Sequence, residues 1–180
     1  MKKTILSLAL VLTTGLIFAQ KKTTTSAVIN FDATTSLDNL PKADNKTAVA
    51  SLDAKTGKLA FEVTVKNFTF SNPRIQEHFN SAGWMDSDKF PTATFKGDIT
   101  NLKAINFAKD GTYLVVVLGE ITIHGVTKPI ESNGSIVVKG GSIKANSDFS
   151  IKLEDFGVSG GAIAAGKVAK EPKISVVAEF

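Results

Sequence analysis

The chain has no cysteine, two histidines, one tryptophan and one tyrosine among 180 residues. The missing thiols exclude disulfides, thiol nucleophiles, thiolate metal sites and iron–sulfur clusters, so stability must come from core burial and hydrogen bonding. His78 and His124 are too few for a histidine-built metal site. No G-x-S-x-G elbow is present, so a serine hydrolase has no visible nucleophile site. The carboxylates Asp86, Asp88, Glu120, Glu154 and Asp155 show no paired spacing that acid–base chemistry would need; solvated strand ends account for them. Charge of one sign is also scarce. The formal net charge is +4, and two of the positive groups, Lys2 and Lys3, sit in a segment expected to be removed. No basic stripe remains, and no nucleic acid is expected. Gly161–Lys167 matches most of a phosphate loop, but Val168 stands where a magnesium-binding hydroxyl is required and Pro172 leaves little room for the helix. No nucleotide, cofactor or metal is expected.

What is present begins with a targeting pattern. Lys2 and Lys3 precede the apolar run Ile5–Phe18, which Ser7, Thr13, Thr14 and Gly15 interrupt, and Ala19 supplies a small residue before a cut. This is the layout of a secretory signal peptide over 1–19, with cleavage expected after Ala19 and a periplasmic or secreted product. The alternative is an uncleaved anchor, for which the run is short and broken. No cysteine follows it, so lipoprotein attachment is excluded. Residues 20–26 read as a flexible polar leader, and 27–180 as one domain with enough chain to bury a core.

Within 27–180 short period-two alternations recur between turn residues. Strands are expected at Ala27–Phe31, Ala48–Leu52, Leu59–Val65 with Phe68 and Phe70 extending it, Ala93–Ile99, Tyr113–His124, Pro129–Val138, Ile143–Leu153 and Ile174–Phe180. That pattern indicates an all-β antiparallel sandwich or barrel. One segment differs. Asn72 can cap a short helix, and Pro73 suits its first position, so a helix is expected near residues 73–80. Leu114, Val116 and Leu118 form an apolar stretch on the second face of the longest strand, which predicts burial on both sides there, with the helix near residue 75 as the cover. Gly125 permits a tight turn, and Pro129 ends pairing on its own N–H side.

Three stretches are more particular than an alternating strand needs: His78-Phe79-Asn80 followed by Asp88–Phe95; Gly119–Ile130, which reads GEITIHGVTKPI; and Phe149–Val158. Together and in this order they resemble the YceI-like family of exported lipid-binding or polyisoprenoid-binding proteins. The resemblance spans about residues 27–180. It implies an extended eight-stranded antiparallel lipocalin-like barrel with a small helical element and an apolar tunnel for an isoprenoid or other amphiphilic lipid. It brings no catalytic residues. Trp84 and Met85 lie where the family pattern is more aliphatic or carries tyrosine, which predicts a narrowed or reshaped cavity.

Phenylalanine occurs twelve times. It offers apolar area with no polar group to satisfy, which suits a dry cavity as well as a filled core. The expected tunnel residues are Phe61, Phe68, Phe70, Phe79, Trp84, Met85, Phe90, Phe95, Val115, Val117, Ile121, Ile123, Phe149 and Phe156. His78 and His124 are placed at the tunnel mouth. Each also has a structural reading: His78 at a helix C-terminus, and His124 bonding to Thr127 or to a carbonyl across the turn. Function is therefore read as a non-enzymatic lipid carrier, with peripheral membrane contact allowed and the oligomeric state open, a dimer included. Two alternatives remain. One is a small outer-membrane barrel, favoured by the terminal strand ending in Phe180 but opposed by the scarcity of Tyr and Trp for aromatic girdles. The other is a secreted enzyme.

Overall fold

A computed structural model describes residues 21–180. The proposed signal segment and its cut after Ala19 lie outside the described residues. Nine strands form: β1 (Lys21–Asp32), β2 (Lys42–Asp53), β3 (Lys58–Thr64), β4 (Thr69–Phe70), β5 (Thr92–Ile99), β6 (Gly111–Ile123), β7 (Val126–Lys139), β8 (Ser142–Ser150) and β9 (Lys173–Glu179). Their spatial order is β1-β9-β8-β7-β6-β5-β3-β2, and β1 also pairs with β2, which closes the ring. β4 adds to β2 through Ala43↔Phe70, so β3 and β4 act as one stave. The wall is thus a closed eight-stave antiparallel barrel, as expected.

Alternation explains the wall. On β6 the inner face carries Val115, Val117, Ile121 and Ile123, and their cross-strand partners on β5 and β7 share that face. Helix α1 (Pro73–Asn80) forms where Asn72 accepts a hydrogen bond from the Arg74 N–H at 2.9 Å and Pro73 takes the first turn. It packs against β4 at one end of the barrel and drives Phe79 inward. The segment after β8 returns to that end through a 3-10 turn (Leu153–Phe156) and the short helix α2 (Gly161–Ala164).

Three expectations are corrected. Residues Lys21–Ser26 are not a loose leader but the first half of β1, paired with β2 from Lys21↔Asp53 onward. Polar side chains hid this, because ladder hydrogen bonds come from the backbone. The third strand does not run on to Phe70: a 3-10 turn at Val65–Asn67 breaks it before β4. Finally, Leu114 and Leu118 are 77% and 47% exposed, so the outer face of β6 has no cover, and α1 sits at the barrel end instead.

The core is divided. One cluster, around Phe31, Phe70, Phe79, Trp84 and Phe156, fills the α1 end. A second, around Leu52, Leu59, Ile99, Ile136 and Val138, fills the far end, with Leu102, Ile105 and Phe107 packed over it.

Candidate functional site

Between the two clusters the barrel has a waist that its side chains do not fill. Phe61, Ala93, Phe95, Ile121, Phe149 and Val176 line it, yet each stays only half-buried. Apolar side chains on the inner face of a closed barrel remain accessible only if they face open space. That space is a cavity of about 160 Å3. Its lining is almost wholly apolar, with Thr94, Ser132, Ser135, Asn146 and Ser147 as the polar residues on it.

Glycines help make this room. Gly97 and Gly119 face each other across β5 and β6, and the Phe95 ring lies over them. A Cβ on Gly119 would fall 2.4 Å from the Lys96 carbonyl oxygen and 2.8 Å from Phe95 Cε2. The missing side chain therefore lets the ring lie against the wall rather than across the waist.

The α1 end is closed by aromatics. Phe79 packs tilted against Phe70 at 4.9 Å and Trp84 at 5.8 Å, and edge-on to Phe68 at 5.8 Å, measured between ring centroids. Phe68, Phe79, Trp84 and Met85 all reach the cavity. Trp84 and Met85 are both buried at this end of the barrel. Trp84 Nε1 and Asn80 Oδ1 are buried without a hydrogen-bond partner among the described residues.

The sequence-predicted residues divide clearly. Phe61, Phe68, Phe79, Trp84, Met85, Phe95, Val115, Val117, Ile121, Ile123 and Phe149 line the cavity. Three others do not. Phe70 is buried behind Phe79, 6.4 Å from the Phe31 ring. Phe90 lies outside the wall, edge-on to the His124 ring at 4.6 Å. Phe156 is buried in the 3-10 turn after β8. Nor does either histidine line the chamber. His78 is exposed, its ring 6.2 Å from Trp84. His124 Nδ1 lies 3.0 Å from the Phe156 carbonyl oxygen, which is the carbonyl bond expected of it, made to a different element. Thr127 instead pairs its hydroxyl with that of Thr122 at 2.8 Å.

His124 and Gly125 hold φ of 51° and 75° as the two central residues between Ile123 and Val126. Two successive positive φ values give a type I′ turn, whose twist matches the strands it joins. Phe90 packs so closely on Gly125 that a Cβ there would lie 2.5 Å from its ring.

Sequence reasoning missed Ile29, Phe31, Ile130, Ile174 and Val176, all of which line the cavity. Phase within each strand could have found them: Phe149↔Ile174 and Gly119↔Ile130 are cross-strand partners on the inner face.

A closed antiparallel wall around an apolar internal chamber defines a lipocalin-like barrel. The YceI-like domain model matches residues 17–180, and the chain belongs to that family. Among solved structures it is similar to a polyisoprenoid binding domain from Saccharophagus degradans, described as implicated in plant cell wall breakdown, at TM-score 0.73 and 12% identity, covering 88% of this chain and 95% of that one. It is also similar to Burkholderia cenocepacia BcnA at TM-score 0.70 and 18% identity, covering 86% and 96%. A UPF0312 protein of Pseudomonas fluorescens is 27% identical over 120 residues, which is 63% of this chain and 60% of the relative's length. At these identities the two structures speak for the fold.

Proposed function

We propose that this chain is an exported, non-enzymatic carrier that holds the apolar chain of an isoprenoid or similar amphiphilic lipid in the waist of its barrel. The observation that carries the reading is the ring of inward-facing yet half-buried apolar side chains around an unfilled chamber. Such a chamber rewards an apolar guest by about 25 cal/mol for each Å2 removed from water. The similarity to a polyisoprenoid binding domain supports the choice of guest. The signal-like pattern at 1–19 supports a periplasmic or secreted location.

Size limits the binding mode. A cavity of about 150 Å3 accepts a benzene-sized guest, and ligand pockets commonly run from about 300 Å3 upward. At about 160 Å3 the waist encloses only part of a long chain in its present shape. The rest of the chain requires movement of flexible wall residues such as Met85, or passage through the wall.

Trp84 provides the test. It is the only tryptophan and it lines the cavity, so its emission reports occupancy. Delipidated protein titrated with n-alcohols of increasing length should show a saturating change at one guest per chain. Affinity should rise about fourfold per added methylene, from about 0.8 kcal/mol each, and level off once the waist is full. Absence of any saturable response across the series contradicts the proposal.

A further inference from the structure

The barrel wall has a seam. β7 pairs with β8 only from Lys139↔Ser142 to Gly134↔Ser147. Beyond that point β8 continues along β9 alone, through Phe149↔Ile174 and Ser150↔Lys173. Residues Val126–Asn133 of β7 therefore have no β8 partner. The turn Leu153–Phe156 packs back against β7, and the His124–Phe156 contact closes the seam at its α1 end. At the other end the Ser132 and Ser147 hydroxyls lie 2.5 Å apart, and Ser147 Oγ donates to the Asn133 carbonyl oxygen in place of a ladder bond.

Pairing alternation explains why the seam does not zip shut. Ile123 and Val126 flank a two-residue turn and form a hydrogen-bonded pair, so Glu120↔Pro129 is a non-bonded pair. Pro129 thus faces β8 with the side of its backbone that would have donated, and it has no N–H to donate.

The inner face at this seam has a distinct chemistry. Lys128 shares a sheet face with Ile121, its cross-strand partner and a cavity residue. It is the one charged side chain on the inner faces of β3 and β5–β9. It is half-buried and makes no ion pair among the described residues. The neighbouring carboxylates, Glu131 and Asp148, lie on the outer face and are exposed. Ser132, Ser147, Ile130 and Phe149 border both the seam and the chamber.

We infer that the β7–β8 seam is a head-group site for an anionic amphiphile: the Lys128 ammonium holds a phosphate or carboxylate while the apolar tail runs past Ile121 and Ile130 into the waist. An amine on the inner face supplies a charge-assisted donor. This inference rests on the carrier reading above.

The test measures dissociation constants of delipidated protein for farnesyl phosphate against farnesol, and for palmitate against hexadecanol, at low and high salt. Wild type should prefer at least one anion over its matched alcohol by about tenfold or more, with the preference shrinking as salt rises. The prenyl and acyl arms separate a phosphate head from a carboxylate head. Lys128→Met keeps the apolar stem and should abolish the preference; Lys128→Arg should restore it. Lys96→Met, on the outer face, should retain it. Unfolding midpoints check that the variants fold. If alcohols and anions bind wild type equally, or if Lys128→Met keeps the preference, the seam inference falls and the carrier reading stands. If none of the four ligands binds wild type, the carrier reading falls and takes the inference with it.

Discussion

Filling the waist by mutation separates an empty chamber from an ordinary core by the sign of a stability change. Ala93 is the position to use. It sits on the inner face of β5, pairs with buried Val63, and lines the cavity while only half-buried itself. Ala93→Phe adds a phenyl ring, about the guest that a 150 Å3 cavity accepts, and the waist offers about 160 Å3. If the ring enters open space, it buries apolar area and should stabilise the fold by about 1.5–3 kcal/mol. In a domain of this size that is about 2–4 °C of Tm per kcal/mol. The same ring should compete with any lipid tail and reduce affinity for long-chain alcohols at least tenfold. In a well-packed core the ring would overpack and cost about 1–3 kcal/mol. Urea unfolding, thermal melts and the alcohol titration read all three quantities. A destabilised Ala93→Phe that still binds alcohols at wild-type affinity would refute the reasoning.

Other substitutions probe separate parts of the account. Gly119→Ala places a Cβ against the Lys96 backbone, which cannot swing aside, and should cost at least about 1–3 kcal/mol in chemical denaturation. Met85→Ala should destabilise by about 2–5 kcal/mol, yet move the plateau of the alcohol series to longer chains. The Thr34 hydroxyl and N–H both donate to Asp32 Oδ1, at 2.7 and 3.0 Å, and the side-chain bond leads in holding the Asp32 carboxyl below its ordinary value. That stability is present above the unfolded carboxylate pKa, about 3.9, and is lost as pH falls through the lower folded value. Thr34→Val should therefore cost about 1 kcal/mol at pH 7 and shrink towards no difference at pH 2, as followed by urea midpoints at both pH values.

Much of the fold was legible because a barrel wall writes its period into the chain. The alternation of Tyr113, Val115, Val117, Ile121 and Ile123 marks the inner face of β6, and Asn72-Pro73 marks the start of α1. The family resemblance supplied the strand number and the closed topology, which alternation alone does not distinguish from a sandwich. Lys21–Ser26 was missed because its pairing with β2 uses backbone groups and leaves little apolar pattern. The exposed Leu114 and Leu118 misled for a related reason: apolarity on a second face implies a cover only when something packs there.

The site was legible in part. Residues on strands could be assigned by phase, and most of those chosen line the chamber. Phe70, Phe90 and Phe156 were chosen as phenylalanines, and composition does not say whether a ring faces a cavity, a neighbouring ring or a turn. The extent of the seam was not visible, because it depends on where β8 leaves β7, and no residue pattern announces that divergence. Pro129 was a partial signal, since it identified the side of β7 that cannot be paired.

The most direct measurement is lipid mass spectrometry on the protein purified without detergent from its native host. The carrier account predicts about one apolar-chain amphiphile per protein chain, lost when Ala93→Phe fills the waist. An empty wild-type chamber that also takes up no added prenyl lipid or long-chain alcohol would contradict it.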